Sequence, residues 1–441
     1  MNFDNLKITD PICYDLVQKE MNRQETTLEL IPSECIASLS TIEALGTPFT
    51  NKYSEGYARK RYYGGNEFVD EVEELAIERA KKAFPGVVAV NVQPYSGSPA
   101  NFAVYVATCK PGDTVVGQSL LDGGHLTHGW KASVTGSFFN AVQYHVREDG
   151  YIDLEETAKI IRENKPKLVW IGASAYAREF PFKEIAKIAD EVGAYIAADI
   201  AHISGLVISG VHTNPAPYVD IITTTTHKTL RGPRGGMIMV TEKGLKKDPE
   251  LALKIDKAVF PGLQGGPHNH QTLAIAVALG EALKPEFIES NKQIVKNAKY
   301  LALKLKELGF ELVSGGTDNH LMLVNVGRGR GVYMQEALDK AGITLNKNTI
   351  PRDPATAFYP SGIRLGTPIV TMRGMKEKEM DIIANLIKRV SDIVVDFGYI
   401  EDKEQRSKNL EEFYKFINSN KDLEKIKKEV EELCLKFPIY K

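Results

Sequence analysis

Between residues 53 and 283, short apolar stretches alternate with longer stretches that have helical spacing. The apolar stretches predict strands at residues 87–92, 114–117, 168–172, 195–198, 221–225 and 237–240. The other stretches predict helices at residues 69–84, 154–163 and 182–192. Strands and helices that alternate in this way form a mostly parallel sheet with helices on both faces. The sequence therefore predicts an α/β fold for this part of the chain.

The segments on either side have different patterns. The expected units are an arm at 1–52, a large domain at 53–284 and a small C-terminal domain at 285–441. The arm has short helical patches but no apolar core of its own, and Lys284-Pro285-Glu286 predicts the boundary between the domains. After it come a long helix, two or three strands around 311–326 and further helices, which predict an α+β domain. Apolar residues at helical spacing in 423–437 predict a docking helix.

One lysine lies where a predicted strand ends. Four threonines at 223–226 favour a strand because β-branched side chains suit an extended backbone. His227 and Lys228 follow, and a glycine-rich basic loop comes next at 231–236. An isolated lysine at a strand end is usually an ordinary one. A lysine in this position is also a candidate for a Schiff base with a carbonyl cofactor.

A second predicted strand, at 195–198, ends at Asp199, and His202 follows three residues later. Pyridoxal phosphate needs a lysine for its aldehyde and a carboxylate that keeps its ring nitrogen protonated. An aspartate at a strand end can equally be a helix N-cap. Because Lys228 lies at the end of a later strand, the pair favours a cofactor site.

Ser96, Gly97 and Ser98 come just before a predicted helix at 102–107. With Pro99 behind them, they offer hydroxyl groups and free backbone N–H groups at a helix N-terminus, which is a common anion site. A plain helix cap has the same pattern. The order along the chain of anion site, carboxylate and lysine fits the phosphate, ring and aldehyde of pyridoxal phosphate.

Nine short motifs occur between residues 53 and 367. They are Tyr53-Ser54-Glu55-Gly56-Tyr57, Lys60-Arg61-Tyr62-Tyr63-Gly64-Gly65, Ser96-Gly97-Ser98, Asp122-Gly123-Gly124-His125-Leu126-Thr127-His128-Gly129, Asp199-Ile200-Ala201-His202, Thr226-His227-Lys228-Thr229, Gly232-Pro233-Arg234-Gly235-Gly236, Gln264-Gly265-Gly266-Pro267-His268 and Ser361-Gly362-Ile363-Arg364-Leu365-Gly366-Thr367. Together they make the chain resemble the serine hydroxymethyltransferase family over nearly its whole length, although no single one would. This family has the aspartate-aminotransferase fold, fold type I of pyridoxal-phosphate enzymes. The resemblance implies a mostly parallel seven-stranded sheet in the large domain and a smaller α+β C-terminal domain.

The resemblance also implies roles for matching residues at the cofactor. They are Ser96, Gly97 and Ser98 at the phosphate, Asp199 at the ring nitrogen, His125 on the ring face, Ser174 and His202 at the ring or its hydroxyl, and Lys228 as the covalent attachment point. Tyr53, Gly265 and Gly266 are expected to reach the cofactor of a neighbouring subunit. The expected catalytic residues are Lys228, Glu55, His227 and Asp199. His125 and His202 could instead be ordinary core residues, but the glycines before His125 favour function because they let a backbone approach a ligand.

Substrate residues follow from the same resemblance. The amino-acid carboxylate is assigned to Ser33, Tyr63 and Arg364, and the folate to Leu120, Gly124, Leu126, Thr356, Ala357 and Phe358. An arginine suits the carboxylate because its planar fork can bind both oxygens. Glu55 lies between two tyrosines and is expected to be partly desolvated, which would let it carry a proton near neutral pH. A solvated loop glutamate is the alternative. Residues 356–358 depart from the Ser-Pro-Phe often found there, and Cys35 replaces a common Asn and is assigned no role.

The implied reaction is the reversible transfer of the serine hydroxymethyl group to tetrahydrofolate, which gives glycine and 5,10-methylenetetrahydrofolate. A folate-independent pyridoxal-phosphate aldolase of the threonine aldolase type would share the lysine and aspartate, but Glu55 and the 122–129 segment argue against it. A cysteine desulfurase would need a cysteine in a mobile glycine- or serine-rich loop, and none of the four has that context. A non-catalytic member of the fold would be expected to have lost Lys228 or Arg364.

The composition limits the classes of partner that we expect for this protein. Lys plus Arg number 55 and Asp plus Glu number 57, so the net charge of −2 gives no reason to expect a nucleic acid or a membrane surface. The cysteines, Cys13, Cys35, Cys109 and Cys434, have neither metal-ligand spacing nor disulfide density, which fits a reducing cytoplasm and no metal site. No signal pattern or membrane-length apolar run is seen. The expected partners are serine, glycine, reduced folate and a second copy of the chain in an obligate homodimer, with a tetramer as the larger alternative.

Overall fold

A seven-stranded sheet lies at the centre of the computed structural model, which describes residues 3–440; residues 1, 2 and 441, at the outer ends of the expected arm and small domain, lie outside the described part. The strands, β1 to β7 in chain order, are Val87–Asn91, Thr114–Gln118, Asn140–Tyr144, Leu168–Ile171, Tyr195–Asp199, Ile221–Thr225 and Gly236–Thr241. Their order across the sheet is β1-β7-β6-β5-β4-β2-β3. β7 is antiparallel to both of its neighbours, and the other neighbouring pairs are parallel. The predicted α/β fold with a mostly parallel seven-stranded sheet is confirmed.

Both faces of the sheet are covered. Successive residues of one strand enter different apolar cores: Leu168 and Trp170 pack on one face, and Val169 and Ile171 on the other. This explains why these strands read as continuous apolar runs, since a strand buried on both faces has no polar side. One face is covered by helices Gly97–Thr108 and Leu251–Lys257. The other is covered by helices Glu67–Ala83, Leu154–Asn164, Phe182–Glu191 and Asn269–Ala282.

β3 is absent from the six strands predicted individually from the sequence. It lies at an edge of the sheet, where Asn140 is exposed, the next three residues are partly buried and Tyr144 is buried. An edge strand needs fewer apolar residues than a central one, so the signal of β3 is weak. The six predicted strands agree with the structure to within one or two residues at each end.

The small domain is built on an antiparallel sheet with strand order Glu311–Leu312, Leu321–Asn325, Gly362–Gly366 and Asn346–Asn348. Its helices are Pro285–Glu307, Gly331–Lys340, Glu377–Ile393, Lys403–Ser419 and Lys421–Leu435. The last helix buries Leu423, Ile426, Val430 and Leu433, so the apolar spacing near the C-terminus does mark a docking helix. Helix Pro285–Glu307 packs with both domains, because Phe287 lies in the core of the large domain and Leu301 in that of the small one.

The N-terminal segment joins both domains. Its helices are Asp4–Thr9, Pro11–Thr26 and Leu39–Leu45. The short strand Leu28–Glu29 pairs in parallel with Ile343–Thr344, and Leu28 and Leu30 lie in the core of the small domain. Helix Leu39–Leu45 packs instead against helix Asn269–Ala282 of the large domain.

Shorter elements complete the fold. They are the antiparallel pair Gly56–Tyr57 and Lys60–Arg61, the short helices Val134–Phe138, Ser204–Ile208, Glu242–Lys247 and Pro368–Met372, and the helical turns Pro48–Asn51, Leu120–Asp122, Leu126–His128, Ala258–Leu263 and Val313–Gly315. Within residues 3–440, no helix combines the length and the apolar character that crossing a bilayer requires.

The carboxyl ends of neighbouring parallel strands meet at one edge of the sheet. β4 ends just before Ser174, β5 ends at Asp199, and β6 ends just before Lys228. Ligands of open α/β sheets bind at this edge. The sheet therefore gathers three of the predicted site residues, which are far apart in sequence.

Candidate active site

Lys228 lies in a buried position just after β6, with 9% of its surface exposed. Burial lowers the pKa of its ammonium group to about 8; the charge of Asp199 opposes this shift, and the charges of Arg364 and Arg234 add to it. A lysine with this pKa is partly neutral near physiological pH. Its amine is therefore available as a nucleophile.

Asp199 ends β5 and is held by three donors. Its Oδ2 accepts a hydrogen bond from Nδ2 of Asn101 at 2.8 Å and lies 3.2 Å from Nε2 of His128. Its Oδ1 accepts from the backbone N–H of Ala201 at 3.0 Å. Burial alone would raise the pKa of Asp199, but the hydrogen bonds from His128 and Asn101, with the charge of His128, hold that pKa below its ordinary value. The group thus stays a carboxylate, as a partner of a protonated ring nitrogen must.

Asn101 and His128 belong to this site although the sequence did not point to them. His128 is stacked on Trp170, with 5.0 Å between ring centroids. His128 lies within the 122–129 motif and Asn101 comes three residues after Ser98, so the motifs mark the neighbourhood. Their contact with Asp199 joins three distant segments and becomes visible only in the fold.

His125 is a neutral ring beside the same carboxylate. Burial lowers the pKa of His125 to about 4, although the charge of Asp199 opposes the shift. Nδ1 of His125 lies 2.6 Å from Oγ1 of Thr127. It also accepts a hydrogen bond of 3.3 Å from the backbone N–H of Thr127. A neutral imidazole fixed in this way is suited to stacking on an aromatic ligand.

The glycines before His125 have a structural reason that differs from the expected one. A Cβ on Gly124 would lie 2.1 Å from the carbonyl oxygen of Gln118, and a Cβ on Gly123 would lie 2.5 Å from that of Ala175. The close approach in the structure is thus to the protein's own backbone. Both positions therefore require glycine for packing, and the expected approach of a ligand stays a prediction.

The 96–98 segment forms the start of helix Gly97–Thr108. Ser96 is the N-cap, but its hydroxyl does not cap the helix, and Ser98 is exposed. The first N–H groups of a helix have no partner within it, so this end can take an anion. A Cβ on Gly97 would lie 2.7 Å from Cγ2 of Thr225, which sets the segment against the end of β6. The hydroxyl of Thr225 is buried and has no hydrogen-bond partner among residues 3–440.

Arg364 lies on strand Gly362–Gly366 and is half-buried. Burial lowers the pKa of its guanidinium to about 10, so it remains a cation at neutral pH. Nη1 donates to the carbonyl oxygen of Ser174 at 2.5 Å, and Nε donates to Oδ1 of Asn346 at 2.9 Å. Nη2 makes no hydrogen bond to any residue of the described chain and is available to a ligand. Ser174 thus presents its carbonyl oxygen to Arg364.

Two buried histidines lie beside Arg364. Nδ1 of His202 is 3.4 Å from Nε2 of His320. Burial lowers the pKa of His202 well below its ordinary value and that of His320 to about 3, with the charges of Lys228 and Arg364 adding to both shifts. Both rings are therefore neutral. His320 was not predicted from the sequence.

Ser33 and His227 line a cavity of about 440 Å³, together with Glu34 and Arg234. Nε2 of His227 is 3.4 Å from Nη1 of Arg234, and burial lowers the pKa of His227 to about 4. Ser33 makes no hydrogen bond to Arg364 within residues 3–440. Pro32, just before Ser33, does approach the Arg364 strand, since a Cβ on Gly366 would lie 2.6 Å from Cβ of Pro32.

A second cluster brings together the residues expected to serve a neighbouring subunit. The hydroxyl of Tyr53 lies 3.4 Å from Oε1 of Glu55, and the rings of Tyr53 and Tyr63 are 5.1 Å apart. A Cβ on Gly265 would lie 3.1 Å from Oε1 of Glu55, and one on Gly266 would lie 3.1 Å from the Tyr53 ring. Within the described chain, no hydrogen bond or ring contact joins this cluster to Lys228 or Asp199. Tyr53 is 53% exposed.

The expected folate residues lie on two surface segments. Leu126, Thr356, Ala357 and Phe358 are exposed, Leu120 is half-buried and Gly124 is buried. The two segments meet where Oγ1 of Thr349 donates to the carbonyl oxygen of Leu121 at 3.0 Å. They therefore border a common surface.

The side-chain ligand atoms of His125, His128 and Asp199 lie within 4.8 Å of one another, which a metal ion could bridge. The hydrogen bond from His128 to Asp199 accounts for the closeness of this pair without an ion.

Comparison with known proteins identifies the family. A model of the serine hydroxymethyltransferase family matches residues 6–387. A serine hydroxymethyltransferase of Acidothermus cellulolyticus is 56% identical over 393 residues, which cover 88% of this chain and 90% of that protein. The chain belongs to the serine hydroxymethyltransferase family. It is a pyridoxal-phosphate enzyme that transfers the hydroxymethyl group of serine to tetrahydrofolate and forms glycine and 5,10-methylenetetrahydrofolate.

Proposed function

We propose that Lys228 and Asp199 hold pyridoxal phosphate between the ends of β6 and β5, with the 96–98 segment at its phosphate. The observation that carries this proposal is a buried amine and an ionised carboxylate at one edge of the sheet. The unpartnered Thr225 hydroxyl and the open helix N-terminus fit a polar ligand that carries a phosphate. When bound, the cofactor supplies an electron sink for cleavage of the Cα–Cβ bond of serine.

The protein's own groups orient this chemistry. Asp199 keeps the ring nitrogen protonated, and His125 stacks on the ring face. We assign His202 and Ser174 to the ring hydroxyl. Lys228 would hold the cofactor covalently through its amine, and the same amine would serve as the nucleophile that releases the product. We also propose that His227, the neutral residue next to Lys228 in the sequence, is a catalytic residue.

Arg364 is proposed to bind the amino-acid carboxylate, with Tyr63 and Ser33 assisting. Support comes from its guanidinium, whose Nη2 is unused by the described residues while Ser174 and Asn346 fix its plane. A planar fork held in place by such contacts selects carboxylate geometry.

Glu55 is proposed to move the proton at the hydroxymethyl oxygen of serine while folate lies against the 120–126 and 356–358 segments. Half-burial of Glu55 and the nearby hydroxyl of Tyr53 support this role. Proton transfer by a positioned carboxyl typically contributes about 10²–10⁴-fold to a rate.

We propose an obligate homodimer in which the Tyr53 and Glu55 cluster completes the partner's site. The cluster has no contact with Lys228 in the described chain, and it is open to solvent. Exposed apolar side chains on the N-terminal helices, among them Ile8, Ile12 and Leu16, give a second copy a surface to cover. Whether two dimers associate further is left to measurement of the assembly in solution.

A mixing experiment tests the shared site. Lys228→Ala and Glu55→Ala subunits should each be inactive as homodimers. Co-refolded hybrids should regain up to about half of the activity per dimer, because one of their two sites receives both intact residues. Hybrids shown to be present by mass spectrometry but inactive would contradict the shared site.

A visible spectrum tests the cofactor and folate assignments together. The purified protein should be yellow, and a long-wavelength band should rise strongly only when both glycine and reduced folate are added. Asp199→Asn should abolish that band because the ring nitrogen loses its charged partner. An unchanged band in this variant would assign the ring nitrogen to another group.

We propose a cytoplasmic location. The four cysteines are all free thiols, and Cys434 is buried, which is the usual state of cysteines in a reducing compartment. Measured enzyme activity in soluble and membrane fractions of the source cells tests this proposal.

A further inference from the structure

The loop 349–361 joins two strands of the small domain, Asn346–Asn348 and Gly362–Gly366. Its outermost residue, Phe358, is 82% exposed, and it belongs to the stretch proposed to touch folate. An exposed loop binds weakly if it must be ordered at each encounter, because ordering costs conformational entropy. A feature that fixes this loop beforehand would therefore act on folate affinity.

The side chain of Arg406 lies between the loop and the C-terminal segment. Its Cζ is 5.1 Å from the ring centroid of Tyr359, in the loop, and 5.1 Å from that of Tyr399. Nη1 donates to the carbonyl oxygens of Ile400 at 2.8 Å and Glu401 at 2.9 Å. The guanidinium is thus fixed by backbone acceptors while its faces are free to contact both rings.

Arg328 contacts both the same loop and Tyr399. Its Cζ is 5.6 Å from the Tyr399 ring, and its Nε donates to the carbonyl oxygen of Pro354 at 3.3 Å. It is also paired with Glu401. Tyr399 packs so closely on Gly329 that a Cβ there would lie 2.4 Å from Cβ of Tyr399. We call Arg328, Tyr399 and Arg406 the clamp.

The clamp residue Arg406 is carried by a helix that packs into the small-domain core. Arg406 is on helix Lys403–Ser419, which buries Phe413 and Ile417 in the core of the small domain. Asn409 of this helix donates to the Tyr333 hydroxyl at 3.0 Å and to the carbonyl oxygen of Gly398 at 2.9 Å. This helix lies beyond residue 387, where the match to the family model ends. The small-domain core is thus connected through the helix and Arg406 to the loop.

We propose that the clamp positions loop 349–361 for folate, so that Arg406 is a positioning residue for the folate substrate. The proposal rests on the proposed folate contacts of residues 356–358. It adds a positioning role for Arg406, which lies on helix Lys403–Ser419. Within the described chain, no hydrogen bond or ring contact joins Arg364, proposed for the amino-acid carboxylate, to the clamp; Ser174 and Asn346 hold its guanidinium. The clamp should therefore act on folate and leave serine binding unchanged.

Arg406→Met tests the proposal in the holoenzyme. The KM for tetrahydrofolate should rise about three- to tenfold, which matches the loss of one or two cation–π contacts. The kcat and the KM for serine should change less than twofold. Trypsin should cut the loop after the exposed Arg352 several times faster. Arg406→Lys, which keeps a cation but not the planar group, should recover part of the folate KM.

Two variants complete the design. Lys408→Met removes an exposed cation from the same helix and should match the wild type. Phe358→Ala should raise the folate KM if the loop touches folate; no rise would overturn the folate assignment and with it the role of the clamp. A raised KM in Phe358→Ala with an unchanged KM in Arg406→Met would overturn the clamp alone. A parallel fall of kcat, serine affinity and melting temperature in Arg406→Met would also overturn it, in favour of a general structural role.

Discussion

Two partly buried aspartates of this protein have opposite pKa shifts, and their neighbours explain the difference. Burial favours the neutral form of both. At Asp199, donors from Asn101 and His128 outweigh burial, and the carboxylate persists. At Asp256, burial and the charge of Glu73 outweigh one hydrogen bond from Asn91, and its pKa rises to about 6. Asp199 is thus prepared for a cation, whereas Asp256 carries an electrostatic cost at neutral pH.

Asp256→Asn should stabilise the protein by about 1–3 kcal/mol at pH 7. The amide keeps an oxygen that can accept from Asn91, which donates to Oδ1 of Asp256 at 2.8 Å. A carboxyl whose pKa is raised in the folded state contributes stability that is lost as pH rises from about 4 to about 6. The gain from the variant should therefore be complete at pH 7 and about half as large at pH 5.

Urea midpoints of the wild type and Asp256→Asn at the two pH values check this prediction. The exposed Asp339, on helix Gly331–Lys340, provides the matched control for exchanging a carboxylate for an amide at the surface. A gain that is the same at pH 5 and pH 7 would point to packing as its cause.

At the same scale, the sequence pointed to the candidate site residues whose chemistry is local. Lys228 and Asp199 follow recognisable strands, so their position and their chemistry could be inferred together. His128, Asn101 and His320 could not be assigned, because each acts through a partner that only the fold brings near. The roles expected of all the site residues, Ser33 and Glu55 included, stay predictions.

Among the elements, the loop 52–61, which carries the proposed catalytic Glu55, shows how a loop can be fixed from behind. Arg61 is 3% exposed and pairs with Asp70 at 2.8 Å and Glu73 at 2.9 Å. Its Nη1 also donates to the carbonyl oxygens of Ser54 and Gly56, which flank Glu55. The orientation of Glu55 therefore depends on a buried ionic network behind it.

Arg61→Met should destabilise the protein by about 3–5 kcal/mol, because it leaves two carboxylates buried without their cation. Folate-dependent turnover should fall further than the loss of folded protein explains, since Glu55 loses its support. Circular dichroism melts and turnover per folded subunit separate the two effects. Arg59→Met is the control. Arg59 lies on the same loop and pairs with Glu74 of helix Glu67–Ala83. Because both side chains are exposed, the melting temperature should hardly change.

The elements themselves were predictable where their apolar signal was strong. The central strands, buried on both faces, were found to within two residues, whereas the edge strand β3 was missed. Pairing of Leu28–Glu29 with Ile343–Thr344 joins segments more than 300 residues apart in the chain. A local sequence pattern cannot indicate strand pairing over such a distance. The attachment of the N-terminal segment to the small domain is therefore evident only in the structure.

For the molecule as a whole, the core of the small domain is tied by long-range contacts to the core on one face of the central sheet. Helix Pro285–Glu307 contributes side chains to both cores, and Leu28 and Leu30 carry the N-terminal segment into the small domain. Each connection couples the position of Arg364, in the small domain, to that of Lys228, in the large one. The active site is therefore sensitive to contacts that lie far from it.

Arg373 is the most connected of these contacts. It is 1% exposed and donates to five carbonyl oxygens. Three belong to Gln24, Glu25 and Thr27 in the N-terminal segment, and two to Cys434 and Phe437 near the C-terminus. One guanidinium thus joins both ends of the chain to the small domain.

Arg373→Met should destabilise the protein by roughly 3 kcal/mol or more, because several buried carbonyl groups lose a charged donor and gain no substitute. Arg373→Lys should recover only part, since an ammonium has three donors where the guanidinium has five. Urea midpoints at one protein concentration measure the loss, and proteolysis within residues 3–26 should accelerate. Arg389→Met, which breaks an exposed pair with Glu429, should cost about 1 kcal/mol or less. Equal losses in the Arg373 and Arg389 variants would mean that the two chain ends are held by the apolar core rather than by this arginine.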